Sequence, residues 1–248
     1  MIVSLIKFEQ VYKTMGQTRV LHDFSFSAGK NKIFCIIGPS GCGKTTILQL
    51  LSGLEQPDAG RITGLAGLRI SYVFQEPRLL PWKTVAGNLD FVLQDVVSPA
   101  EKQELIKSYL STMGLYEYRD SYPKALSGGM KQRLAICRAF AFPHDLLLLD
   151  EPFKSLDMPL RLGLVRYVVK MWQAAPRTIV FVTHDIMEAL LLGNRIMILS
   201  ARPTGILETI ELDLPHEQRN VGEDPLTSLY AKMLAMLETE NKKYYPGL

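Results

Sequence analysis

Three stretches of this chain combine residue types and spacings suited to phosphate chemistry. Gly38-Pro39-Ser40-Gly41-Cys42-Gly43-Lys44-Thr45-Thr46 follows an apolar run and opens a helical pattern. It fits G-x-x-x-x-G-K-[ST], whose glycines let successive backbone N–H groups converge on phosphate oxygens at a helix N-terminus. Lys44 then reaches the β- and γ-phosphates, and the Thr45 hydroxyl suits Mg²⁺. Leu146-Leu147-Leu148-Leu149 ends in Asp150-Glu151. An aspartate there can hold the Mg²⁺ shell, while the adjacent glutamate orients or deprotonates a water. Ser127-Gly128-Gly129 precedes a helical run over 130–142, a second helix N-terminus able to meet an anion. It has no lysine at the spacing of the first loop, so it is not a second copy of it.

The elements that must position these residues are legible from apolar patterning. Ile33–Ile37, 70–74, 146–149 and Thr178–Thr183 read as strands covered on both faces, with Arg195–Leu199 as a fifth, which predicts a mostly parallel sheet. Residues 5–11 and 20–26 flank Gly16 and alternate in polarity, as an antiparallel side sheet does. Between 74 and 146 no strand is expected; an amphipathic helix over 101–113 marks an inserted helical subdomain. Leu226, Leu229, Met233, Leu234 and Leu237 recur at helical spacing, so a terminal helix is expected to dock. The predicted fold is α/β. A nucleotide-binding core with a β side sheet spans 1–75 and 143–212, the helical subdomain 76–142, and a C-terminal tail with a helix 213–248.

Composition excludes several alternatives. With 47% hydrophobic and 21% charged residues the chain is globular rather than disordered. A net charge of +3 without a cationic cluster argues against nucleic acid. Three cysteines without a CxxC suggest neither a disulfide framework nor zinc, and fit a reducing cytoplasm. No apolar window reaches the ~18–20 residues of a membrane span, and residues 1–10 lack signal-peptide form, so any membrane role is expected through a partner.

The LSGGMKQR stretch at 126–133, together with the motifs above, resembles the nucleotide-binding subunit of an ATP-binding cassette (ABC) transporter over roughly residues 1–212. The likeness implies a P-loop NTPase (RecA-like) core that binds and hydrolyses ATP with Mg²⁺. It implies Gln75 as a Mg²⁺ and water contact, alongside Thr45 and Asp150 as metal ligands. Glu151 becomes the catalytic carboxylate, His184 the γ-phosphate switch, Tyr12 an adenine-stacking aromatic, and Ser155-Leu156-Asp157 a loop crossing to a second subunit. Two copies are expected to meet head to tail, so that Ser127, Gly128 and Gly129 of one complete the ATP site of the other. Two departures, Lys30 and Lys154 where the family usually has Glu and Gly, are expected to touch no catalytic position.

Gln75-Glu76-Pro77-Arg78-Leu79-Leu80-Pro81-Trp82, with Tyr122-Pro123 and the residues around His184, resembles the nitrate, sulfonate and taurine importer branch. This implies a peripheral subunit on the cytoplasmic face of the cell membrane, working with integral membrane permease subunits and, indirectly, a solute-binding protein. A lipoprotein-release or macrolide-export ATPase and a non-transport ABC ATPase of DNA repair are the alternatives. The apolar cluster Pro77, Leu79, Leu80, Pro81 and Trp82 is expected to stay partly exposed as the permease-docking surface. Cys42, at a helix N-terminus two residues from Lys44, is expected to have a lowered thiol pKa.

Overall fold

In the computed structural model, which describes residues 4–94, 96–154, 156–220 and 222–244, strands β1 (Ser4–Met15) and β2 (Thr18–Gly29) form an antiparallel pair turning at Gly16. A third strand, β4 (Ala59–Thr63), joins the free edge of β1 to complete the side sheet in the order β2-β1-β4. No strand is expected at β4 from the sequence, because none of its residues is buried at that sheet edge and no apolar pattern marks it. Phe8, Phe24 and Phe26 pack as an aromatic cluster, with Phe8 and Phe24 each 2% exposed.

The chain divides into two units, Met1–Leu68 with Leu162–Leu248, and Arg69–Arg161. In the first, β3 (Ile33–Ile37) pairs in parallel with β7 (Thr178–Thr183) on one side and β8 (Arg195–Leu199) on the other. β9 (Ile206–Glu211) closes the edge antiparallel to β8. All five residues of β3 and all six of β7 are buried, which explains their unbroken apolar runs. β9 was not anticipated; as an edge strand it is mostly exposed and shows no such run. Helices α1 (Lys44–Ser52) and α6 (Ile186–Leu192) follow β3 and β7, and α5 (Met158–Ala174) precedes β7.

The tail does dock within this unit. Arg219, 5% exposed, donates to the carbonyls of Leu190, Gly193, Leu212 and Leu214, and burial pushes its pKa down to about 10. Helix α7 (Leu226–Tyr244) then buries Leu226, Met233 and Leu237.

In the second unit β5 (Ile70–Val73) and β6 (Leu146–Asp150) pair in parallel. Between them lie α2 (Val85–Val92), α3 (Pro99–Thr112) and α4 (Gly128–Ala141), packed on one another. Each starts at a hydroxyl cap: Thr84 accepts the Gly87 N–H at 3.0 Å, Ser98 that of Glu101 at 3.4 Å, and Ser127 that of Met130 at 3.3 Å. Helix α3 starts at Pro99, where Pro99-Ala100 marks a helix start in the sequence, whereas the helix expected at 130–142 begins two residues earlier because the Ser127 cap sets its start. Fully buried Leu110 and Leu134 carry their packing.

Candidate functional site

The phosphate loop is built by strand register and glycine geometry. Ile37 pairs with Thr183, so the chain leaves β3 at Gly38 and β7 at His184 on the same edge of adjacent parallel strands. Gly43 has φ +118 and a Cβ there would stand 2.6 Å from Val20, so glycine is required on both counts. Inside the loop, Lys44 is 6% exposed and its ammonium donates to the carbonyls of Gly38 at 2.8 Å and Pro39 at 2.9 Å. The cation is thus held over the cradle by bonds that a phosphate can replace. Thr204, 1% exposed, donates its hydroxyl to the Cys42 carbonyl and fixes the loop from below. Sequence reasoning missed Thr204, since nothing local connects it to the loop 162 residues away. Ser40, Gly41 and Thr45 are exposed, while Thr46 is buried in the first turn of α1.

Cys42 corrects the expectation of a reactive thiolate. It is 1% exposed, and burial pushes its thiol up; Lys44 and Arg202 act in the opposite direction without offsetting that. Helix-terminus and lysine proximity lower a thiol only where the thiolate stays solvated.

His184 is exposed at the end of β7. Beneath it Thr183 donates to Glu188 at 2.6 Å and accepts the Asp185 N–H at 3.0 Å, while Asp185 caps α6 through the N–H groups of Met187 and Glu188. A cavity of about 700 Å³ is lined by Gly38, Pro39, Ser40 and His184 on one side and by Leu237, Glu238, Asn241 and Lys242 of α7 on the other. A cavity of similar size, about 710 Å³, runs along α5 toward Arg219 and Glu223; it contains no part of the phosphate loop.

Tyr12 is half-buried on β1, edge-on to the His22 ring at 5.0 Å. Its carbonyl accepts the Asp58 N–H at 2.9 Å, and the neighbouring Lys13, 8% exposed, pairs with Glu55 at 2.8 Å and Asp58 at 3.4 Å.

In the second unit, Val73 pairs with Leu149, so Gln75 and the acidic pair emerge at the same end of β5 and β6. Asp150 is 3% exposed and accepts the Tyr72 hydroxyl at 3.3 Å; burial together with that carboxylate raises the phenol far above its ordinary value. Glu151 has φ +44, a left-handed backbone that a non-glycine side chain adopts only under constraint. The Lys154 ammonium stands 3.0 Å from its Oε2. Lys154, expected to touch none of the candidate catalytic residues, does reach one of them: the turn after β6 folds residue 154 back onto residue 151.

Ser127 and Gly128 lie exposed at the start of α4, and a Cβ on Gly129 would meet Leu156 at 3.1 Å. Of the expected crossing loop, Ser155 lies outside the described residues; Leu156 is buried and Asp157 exposed. Trp82 is 68% exposed, so it is no core plug. The loop that carries it is fastened from below by Asn88, 0% exposed, which accepts the Leu80 N–H and donates to the carbonyls of Leu80, Lys83 and Thr84. Arg138 adds a bond to the Arg78 carbonyl at 2.5 Å. Neither Asn88 nor Arg138 was singled out by sequence.

Comparison with known proteins decides what this cradle belongs to. The family described as "ABC transporter" matches residues 21–154.

This chain belongs to the ABC transporter family.

Within the family, the aliphatic sulfonates import ATP-binding protein SsuB of Bacillus anthracis is 38% identical, covering 96% of each chain. An uncharacterized ABC transporter ATP-binding protein of Methanocaldococcus jannaschii is 38% identical over 80% of this chain and 77% of its own. Among solved structures, a dimeric ATP-binding cassette in a post-hydrolysis state with ADP and Pi aligns with a TM-score of 0.73 at 27% identity, covering 84% of this chain and 98% of that one. The expected P-loop NTPase fold and ATPase activity of an ABC subunit therefore hold. No helix among the described residues is long and apolar enough to cross a membrane.

The residues present fit Mg²⁺. The expected ligands Thr45, Gln75 and Asp150 each offer a side-chain oxygen, the donor that the hard cation requires. Among the described residues no group of three or more His, Cys, Asp or Glu that could hold a metal ion by itself is present.

Proposed function

We propose that this chain is the ATP-hydrolysing subunit of an importer for sulfonate-type organic anions, acting as a head-to-tail pair beneath separate permease subunits on the cytoplasmic face of the membrane. The observation that carries the ATPase reading is Lys44 held on the Gly38 and Pro39 carbonyls beside His184 on the adjacent strand edge. The importer reading is supported by end-to-end likeness to the sulfonate import protein, 96% of each chain.

On this reading the N–H groups of residues 41–46 cradle the nucleotide phosphates, Lys44 exchanges its carbonyl partners for β- and γ-phosphate oxygens, and Tyr12 stacks on adenine. Mg²⁺, held by Thr45, Gln75 and Asp150, supplies charge neutralisation at the phosphates when bound. Glu151 orients the attacking water and His184 contacts the γ-phosphate. Ser127 of the partner subunit and Gly129 of the partner subunit close the site from the other face. Trp82, displayed on its fastened loop, docks a short permease segment, and a solute-binding protein delivers the anion from outside.

The purified chain is expected to hydrolyse ATP, and Glu151→Gln to keep ATP affinity while losing on the order of 100-fold in turnover, two tenfold barrier steps of about 1.4 kcal/mol each. A deletion strain is expected to lose growth on an alkanesulfonate as sole sulfur source and to recover it with the wild-type gene only. Unchanged growth on alkanesulfonates and on taurine, with loss on nitrate instead, overturns the substrate class; normal turnover in Glu151→Gln overturns the assignment of the water-orienting residue.

A further inference from the structure

Glu151 leaves β6 at φ +44, and the following turn is closed by the Lys154 N–H donating to the Glu151 carbonyl at 3.3 Å. Pro152 and the fully buried Phe153 anchor that turn, so residue 154 is brought back over residue 151 by the backbone itself. The ammonium of Lys154 comes to 3.0 Å from Oε2 of Glu151, with the carboxylate side chain 15% exposed and the lysine 50% exposed.

A carboxylate that orients water acts through its negative charge and an accessible oxygen lone pair. An ammonium 3.0 Å from Oε2 offsets the carboxylate's charge as an ion pair, without meeting hydrogen-bond geometry. Because the lysine is half in solvent, the pair is weak, in the range where ion pairs alter an equilibrium by no more than about fivefold. It is a contact that can break and re-form, not a permanent neutralisation.

We propose that Lys154 is a positioning residue that clasps the Glu151 carboxylate and slows hydrolysis, so that turnover depends on how often the clasp is open. This rests on Glu151 being the water-orienting carboxylate. The established fold needs no such cation, and the turn geometry supplies one.

The test is steady-state ATPase of the purified full chain carrying Lys154→Met, Lys154→Gln or Lys154→Arg, each measured across ATP concentration and ionic strength. The two neutral variants are expected to raise kcat about two- to fivefold with KM for ATP and equilibrium ATP affinity unchanged. Rising salt is expected to accelerate the wild type by loosening the pair and to leave the neutral variants unaffected, while Lys154→Arg restores the salt response. A kcat that stays level or falls in both neutral variants, or a salt response shared by all four proteins, overturns the clasp. Glu151→Gln separates the two readings. If it abolishes turnover while the neutral variants match wild type, the clasp alone is wrong; if it leaves turnover intact, the reading of Glu151 is wrong as well.

Discussion

The side-chain carbonyl of Asn88 accepts the backbone N–H of Leu80 at 2.9 Å from a position with no solvent exposure. One buried amide thereby holds the loop that displays Trp82, since the same side chain also donates to the carbonyls of Lys83 and Thr84. Asn88→Ala leaves those groups to find new partners in a buried place, where each unmet group costs about 1–3 kcal/mol. The expected loss in urea unfolding of the isolated chain is about 3 kcal/mol, and a loss below about 1 kcal/mol would show that water replaces the amide.

Trp82 is the contrasting case. With 68% of it exposed, Trp82→Ala is expected to change unfolding stability by less than about 0.5 kcal/mol, as surface substitutions do, against about 3–5 for a core tryptophan. Copurification with the permease is expected to drop sharply while ATP affinity of the isolated chain stays the same. Full assembly in the alanine variant would move the docking surface elsewhere.

Cys42 is 1% exposed and burial raises its thiol, so iodoacetamide at neutral pH is expected to leave it unmodified in the native chain. In urea the same thiol should alkylate readily. Peptide mass spectrometry distinguishes the two, and rapid native modification would show that the phosphate loop opens far more than its packing suggests.

Glu240 ties α7 to the loop after β8. Its carboxylate, 4% exposed, accepts the Ala201 N–H at 3.0 Å and pairs with Lys243. Burial acts to raise its pKa, but Lys243 and the Ala201 N–H outweigh that and hold it below the ordinary glutamate value. A group lowered on folding stabilises above its unfolded pKa, about 4.3, and that contribution fades as pH falls through the folded value. Thermal unfolding below about pH 4.3 is therefore expected to fall less steeply in Glu240→Gln than in wild type. Parallel acid profiles for the two proteins would show that the tie carries no net stability.

What the sequence determined by itself is local. The phosphate loop requires glycine at Gly43 because a φ of +118 strains any other residue, and that constraint lies one residue from Lys44; the 2.6 Å approach of Val20 is added by the fold. The same holds for β3, β7 and β6, whose burial on both faces demands continuous apolar runs. The edge strands β4 and β9 escaped because an edge buries little and so imposes little pattern. Only tertiary structure decided that Thr204 would fasten Cys42 and that Asn88 would fasten the Trp82 loop. It also brought burial onto the Cys42 thiol and the last turns of α7 to the cavity at Gly38 and His184. Each of these is a contact or a desolvation set by how the chain folds back on itself, and residue type and spacing carry no record of it.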